Sequence, residues 1–279
     1  MTTASIVTHR TPAAQLLTAL HCILRCSDVV CVYVVDNSPD EELRKALVGL
    51  ERVEYIHVEN RGYGAGHNTA IAKAMSAGSS FHLVMNADVR WDGDILSELT
   101  GYLSREPEAG MVMPKVYYPD GALQYACRML PTPWDVFAKR FLPSALTRRR
   151  MERYLLADAD HDKAFDCPYL LGSFLLFRTD ALRKVGTFDE RFFMYPEDID
   201  ITRRMHASFR TMFYPAVSIV HDHAAASRKS LRMLRIHIVN MVRYFNKWGW
   251  FVDTARRKAN KKLLRDMPRL SGRRPAGRG

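Results

Sequence analysis

The sequence predicts an α/β fold: a mainly parallel central sheet flanked by helices, with further helices at the C-terminal end. Three observations lead there. Short β-branched runs alternate with stretches of helical spacing through the first half of the chain, the rhythm that joins parallel strands through crossover helices. The clearest of these runs, Val29 to Val35, is continuously apolar, as a strand covered on both faces must be. The 279 residues are 47% hydrophobic and 25% charged, which supports a sizeable core and excludes disorder, collagen and a disulfide scaffold.

The elements follow in order. Ser5 to Thr8 is a short apolar run, Ala13 to Leu24 has helical spacing, and Val29 to Val35 halts at the turn cluster Asp36-Asn37-Ser38-Pro39. Glu41 to Leu50 returns to helix, Val53 to Val58 to strand, Asn68 to Ala77 to helix, and Phe81 to Met85 to a strand ending at Asn86-Ala87-Asp88. Beyond Asp92 a helical stretch reaches Ser104, and a strand covers Gly110 to Val116. From Leu130 to Ala164 the pattern is irregular, with Pro131, Pro133, Pro143 and the basic run Arg148 to Arg150, which predicts a long binding loop or lid. Tyr169 to Phe177 is a strand interrupted at Gly172-Ser173, and Thr179 to Val185 a short helix. A helix is predicted to begin at Pro196-Glu197-Asp198, because proline suits a first helical position and carboxylates suit the first turn. Thr211 to Val220 forms the last strand, ending at His221-Asp222-His223, and Ser230 to Leu264 is helical.

Charge and cysteine usage narrow the function classes. No run of about 18 apolar residues occurs and the N-terminus lacks a signal pattern, which predicts a cytoplasmic chain. Five cysteines without a C-x-x-C pair argue against a disulfide framework or a thiolate zinc site. From Arg228 onward 16 Lys and Arg stand against 2 Asp and Glu, so the net charge of +11 belongs to the C-terminal segment and the body is slightly acidic. The body therefore offers no basic nucleic-acid cleft, whereas the segment suits phosphates or an anionic membrane surface.

Ligands of parallel sheets sit beyond the carboxyl ends of the strands, and three polar clusters fall there: Thr8-His9-Arg10, Asp36-Asn37-Ser38 and Asn86-Ala87-Asp88. One shared site is the inference. The run Asn60 to Asn68, with Gly62, Gly64 and Gly66, reads either as a phosphate-supporting turn or as a plain flexible one; it lacks the third glycine of a dinucleotide fingerprint. Asp88 suits a divalent cation or, equally, a turn. In Phe188 to Asp200, five carboxylates accompany aromatics; at about 100° per helical residue, Asp198 and Asp200 diverge by roughly 200°. Asp200 is placed to pair with Arg203 or Arg204, which leaves Asp198, with Glu197 beside it, as the candidate general base or a helix-dipole acid. His221 and His223 point to opposite faces, so at most one reaches Asp88. Ser227 and Ser230 follow, without a hydrolase elbow.

Together these segments resemble the family 2 glycosyltransferases of the GT-A fold, especially the bacterial rhamnosyltransferase-like branch that builds O-antigen and related polysaccharides. The resemblance runs in order through SIVTHR, VVDNS, ENRGYGAGHNTAI, VMNADV, DGALQYACR, YLLGSFLLFR, GTFDERFFMYPEDIDITRRM and YPAVSIVHDHAAAS. It implies a GT-A catalytic domain over 1–227, a basic helical segment over 228–265 and a disordered basic tail over 266–279. By similarity Thr8 and Asp36 hold the base and ribose region, and Asn60, Gly64, Asn68 and Asn86 support the nucleotide sugar. Asp88, matching the last aspartate of the D-x-D motif, holds Mg2+ or Mn2+ with His221, while Asp198, aided by Glu197, takes the acceptor proton. Asn86-Ala87-Asp88 stands where Asn-Pro-Asp is common, and His9-Arg10 where Tyr-Asn is usual. The implied reaction is inverting transfer, with dTDP-L-rhamnose as donor and UDP-galactofuranose or UDP-glucose as alternatives. Its acceptor is a lipid-linked, undecaprenyl-type saccharide. Within the basic segment, Met241 to Trp250 then packs on the catalytic domain and the run Arg256 to Arg265 rests on the inner face of the cytoplasmic membrane. A basic-tail nucleic-acid binder is the reading from a different class.

Overall fold

The structure is a computed structural model that describes residues 1–222 and 231–270. His223, Ser227, Ser230 and the tail from 271 lie outside the described residues. The chain runs β1 (Thr2–Thr8), α1 (Ala13–Leu24), β2 (Val29–Asp36), α2 (Glu42–Ala46), β3 (Val53–His57), α3 (Tyr63–Ser76), β4 (Phe81–Met85), β5 (Val89–Arg90), α4 (Ile95–Arg105) and β6 (Ala109–Tyr117). It continues with β7 (Cys127–Arg128), α5 (Pro133–Phe141), α6 (Ser144–Tyr154), β8 (Phe165–Asp166), β9 (Tyr169–Leu170), β10 (Phe174–Arg178) and α7 (Thr179–Val185). The last elements are α8 (Glu197–His206), β11 (Arg210–His221), α9 (Leu231–Trp248) and α10 (Thr254–Asp266).

The central sheet has the order β3-β2-β1-β4-β10-β6-β11-β5, with β8 paired onto β11. β3, β2, β1 and β4 are mutually parallel, as are β6 and β11. β10 alone in the middle runs antiparallel to both neighbours. That reversal matters for the site: Phe174, the first residue of β10, pairs with Met85, the last of β4. Gly172 and Ser173 are thereby carried to the carboxyl end of β4, where the Asn86 amide donates to the Ser173 carbonyl at 3.0 Å. At the other edge β5 pairs His221 with Val89, which sets that imidazole beside Asp88.

Helices cover both faces, and one main core joins Ile6, Val34, Leu83, Leu99, Val112 and Leu176. Three expectations are corrected. The stretch from Leu130 to Ala164 contains two helices rather than a loop: Pro133 occupies the first turn of α5 behind a Thr132–Asp135 capping box, and Pro143 precedes α6. The glycine run is not a turn ahead of a helix at Asn68, because α3 already begins at Tyr63. Gly66 lets α3 lie against β1, since a Cβ there would come 2.8 Å from Val7. Finally, residues 266–270 are ordered: Met267 is buried, the Asp160 amide donates to the Pro268 carbonyl, and Arg269 bridges to Ala159.

α9 and α10 pack on the body. Met241, Tyr244 and Phe245 join Leu130, Tyr169, Phe192 and Ile199 in a second apolar cluster, while Leu263 and Met267 enter the main core. Arg203 of α8 forms a bidentate pair with Asp253 at 2.7 and 2.8 Å, both side chains nearly fully buried. Among the described residues no helix is long and apolar enough to cross a membrane.

Candidate active site

Thr8 and Asp36 face each other across β1 and β2. The Thr8 hydroxyl donates to Asp36 Oδ1 at 3.0 Å, the Ser38 amide donates to the same oxygen, and the Tyr55 hydroxyl donates to Oδ2 at 2.8 Å. Both side chains are enclosed, so they act on a ligand through the 36–38 turn that they hold. Asn60 accepts from the Gly62 amide at 3.2 Å and its amide nitrogen lies 3.3 Å from His9. Gly62 has φ +108°, and a Cβ there would meet the Phe193 carbonyl at 2.2 Å, so only glycine fits this approach of α3 to the 188–193 loop.

Gly64 and Asn68 turn to that same loop. A Cβ on Gly64 would lie 2.8 Å from Phe188, and the Asn68 side chain donates to the Phe188 carbonyl and accepts from its amide, both at 2.9 Å. Their contacts are internal, because the helix starts five residues earlier than the spacing suggests. The loop is further braced by Lys247 on Asp189 and by Arg61 on Glu190, each at 2.8 Å.

Tyr63, whose role the sequence did not disclose, ties the clusters together. Its hydroxyl lies 2.8 Å from Asn86 Oδ1 and 2.9 Å from the Gly172 carbonyl, sharing its one proton between the two acceptors. The Gly172 amide in turn donates to Asp198 Oδ2 at 3.1 Å. Asn86 and Asp198, distant in sequence, are thus linked through Tyr63 and Gly172. Burial, with the charges of Asp198 and Asp88, pushes the Tyr63 phenol well up.

Asp198 also accepts from the Ile199 amide at 2.8 Å and the Tyr169 hydroxyl at 3.3 Å. Its pKa is raised by burial; its hydrogen bonds and the Arg128 guanidinium act the other way. Glu197 is raised well above the carboxylate range by burial and by the charge of Asp198, and its Oε2 is buried without a partner. Asp198 accepts from three donors whereas Glu197 has its own backbone amide alone, so Asp198 carries the charge of the pair and Glu197 the proton. Asp200 is fully buried on the other side of the helix, held by Arg204 and Trp248 at 2.8 Å and by Lys247 at 2.6 Å. That matches the angular separation expected from the spacing.

Asp88 Oδ1 lies 3.3 Å from His221 Nε2. Gln124 Oε1 stands 2.8 Å from His221 Nδ1 and accepts its proton, and with that tautomer Nε2 accepts from the Asn86 side-chain amide at 3.4 Å. Two acceptors facing at this separation suit a cation between them, and hard cations complete such shells with phosphate oxygens and water. Among the described residues no group of three or more His, Cys, Asp or Glu could hold a metal ion. Gln124 and Arg128 both lie in the segment DGALQYACR, where sequence spacing gave neither a role.

Comparison with known proteins fits this geometry. The model of the family described as "Glycosyltransferase like family 2" matches residues 2–247. An N-acetylglucosaminyl-diphospho-decaprenol L-rhamnosyltransferase of Mycobacterium tuberculosis is 32% identical over 214 residues, covering 70% of this chain and 67% of the relative. The rhamnosyltransferase WbbL of Escherichia coli K12 is 26% identical over 223 residues, covering 76% and 81%. Among solved structures, GalNAc-T7 with UDP, GalNAc and Mn2+ aligns with TM-score 0.59 at 12% identity, over 79% of this chain and 43% of that one. A mannosyltransferase of Pyrobaculum calidifontis in complex with GDP-Man and Mn2+ aligns with TM-score 0.57 at 18% identity, over 87% and 64%. These likenesses establish a GT-A type fold. With nearly its whole described body spanned by one family, the chain belongs to the family 2 glycosyltransferases.

Proposed function

We propose that this chain transfers L-rhamnose from dTDP-L-rhamnose, with inversion, to a hydroxyl of a lipid-linked saccharide in cell-surface polysaccharide synthesis. The observation that supports the reading is the hydrogen-bond chain from Asp198 through Gly172 and Tyr63 to Asn86, whose amide reaches His221 beside Asp88. Rhamnosyl transfer is the activity named for both curated relatives, and the mycobacterial one acts on a diphospho-decaprenol acceptor.

The residues divide the work. Asp198 accepts the acceptor's hydroxyl proton as the oxygen bonds to the anomeric carbon, and the bond from that carbon to the diphosphate breaks on the opposite face. The nucleoside diphosphate leaves with the bonding pair. Asp88 and His221 would hold Mg2+ or Mn2+, which when bound neutralises charge on the departing diphosphate. Thr8, Asp36 and Asn60 shape the nucleotide floor, while Gly64 and Asn68 fix the loop that carries the aromatics. The buried, partnerless Glu197 Oε2 and Ser173 Oγ are suited to sugar hydroxyls. The basic run 256–265 is suited to an anionic membrane surface, where a lipid-linked acceptor would sit.

The test is transfer by purified protein with dTDP-, UDP- and GDP-sugars, in Mg2+, Mn2+ or EDTA, onto a diphospholipid-linked N-acetylglucosamine. Metal-dependent transfer from dTDP-L-rhamnose with inverted product is expected. Efficient transfer from UDP-galactofuranose or UDP-glucose instead would replace the donor, and no sugar-nucleotide binding would remove the reading.

A further inference from the structure

A cavity of about 520 Å³ lies where α5, α6 and the 249–264 segment meet. Its walls carry the apolar Trp134, Trp250 and Phe251, and its rim the cations Arg153, Arg257 and Lys261. Among the described residues no carboxylate pairs with these three cations, and no acidic side chain lines the cavity. Around it large apolar side chains stand in water: Phe251 is 78% exposed, Val252 77%, Trp134 51% and Phe137 44%. Trp134 and Phe137 stack at 5.4 Å.

The projection is built in. Gly249, at φ +101°, turns the chain so tightly that a Cβ would come 2.8 Å from the Val252 carbonyl. Trp250 is held by Asn246 at 2.8 Å, and Asp253, which caps α10, is clamped by buried Arg203. Phe251 and Val252 are thus presented on a rigid knuckle, with cations behind them.

We infer that this surface is the membrane-docking site of the chain: a bilayer containing anionic phospholipid seats its phosphates on Arg153, Arg257 and Lys261 while Trp134, Phe137, Phe251 and Val252 enter the interfacial layer. This refines the membrane contact proposed above from a basic helix to a cavity with an apolar knuckle. Charge complementarity selects the occupant. Residues 271–279 contain Arg273, Arg274 and Arg278 and no acidic residue, so they share the sign of the rim, and a second copy would oppose rim to rim. Nucleic acid would match the cations and leave the four exposed apolar side chains in water, whereas an anionic interface takes both.

The experiment is co-sedimentation of the full chain with vesicles of phosphatidylcholine alone or mixed with phosphatidylglycerol, at low and high salt. The pairs Phe251→Ser with Val252→Ser, and Arg257→Gln with Lys261→Gln, are compared with wild type after checking that melting is unchanged. The wild type binds the anionic vesicles, and each pair weakens that binding roughly tenfold or more. Transfer to a water-soluble acceptor stays at the wild-type rate, and transfer to a vesicle-embedded acceptor falls. Equal binding to neutral vesicles, binding undiminished in both pairs, or binding lost only on deletion of 271–279 would overturn the assignment. Vesicle binding is read without any transfer, so it stands apart from the outcome of the sugar-nucleotide panel.

Discussion

At the scale of single residues, Gly172 fixes where the Asp198 carboxylate stands, because its amide donates to Asp198 Oδ2 at 3.1 Å. The 100° step of a helix separates Asp198 from Asp200 on paper, and the structure gives Asp200 to Arg204, Lys247 and Trp248. Tyr63 and Gly172 stayed hidden because their meaning is a contact across 109 positions. Gly172 now makes a sharp prediction. A Cβ there would sit 2.9 Å from the Asp198 Cβ, so Gly172→Ala displaces the base and lowers kcat by roughly 10- to 100-fold, with donor KM little changed. Steady-state kinetics checks this split. A second prediction comes from the buried network under α3, where Ser5 bridges His67 at 2.7 Å and His82 at 2.9 Å, and Thr3 meets His82 at 2.9 Å. Burial pulls His82 down to about 3 and His67 well below its ordinary value. Both are neutral in the fold, whereas the unfolded chain binds protons below about 6.5. The stability they permit is therefore complete above that pH and is lost as pH falls toward 3, by roughly 1.4 kcal/mol per pH unit for each histidine. Urea unfolding at pH 7.5 and 5.5 is expected to show a smaller acid loss in His82→Gln than in the wild type.

At the scale of elements, the strands and helices with strong periodicity lie where the pattern puts them: α1 spans Ala13–Leu24, β4 Phe81–Met85 and α7 Thr179–Val185. The pattern does not show the helices between Leu130 and Ala164, where it reads as irregular. Pro133 and Pro143 instead introduce α5 and α6, and the Thr132–Asp135 capping box was the local signal that identifies the first. It also failed to show how α8 is fastened to the C-terminal helices, because the partners Arg203 and Asp253 are 50 positions apart. Asp253→Asn leaves the buried Arg203 guanidinium without its counter-charge. The expected cost is about 3–5 kcal/mol, or a melting temperature lower by roughly 10 °C, measured by calorimetry. A shift of a degree or less would mean that α10 is not held through this pair.

At the scale of the whole molecule, the alternation of strand and helix was enough to foresee an α/β sheet with its ligand edge at the carboxyl ends of β1, β2 and β4. The reversed strand β10 was not foreseeable, since an antiparallel strand buried in the centre has the same apolar pattern as a parallel one. That reversal is what carries Gly172 and Ser173 to Asn86, so that Tyr63 and Gly172 link Asn86 to Asp198. The role proposed for Asp198 is tested most directly by comparing Asp198→Asn with the wild type in two readouts, kcat for sugar transfer and Kd for the donor nucleotide. A general base acts on the acceptor proton alone, so kcat should fall by roughly 10²–10⁴-fold while donor Kd stays within about twofold. Retention of wild-type kcat, or loss of donor binding in step with kcat, would contradict the assignment of Asp198 as the base.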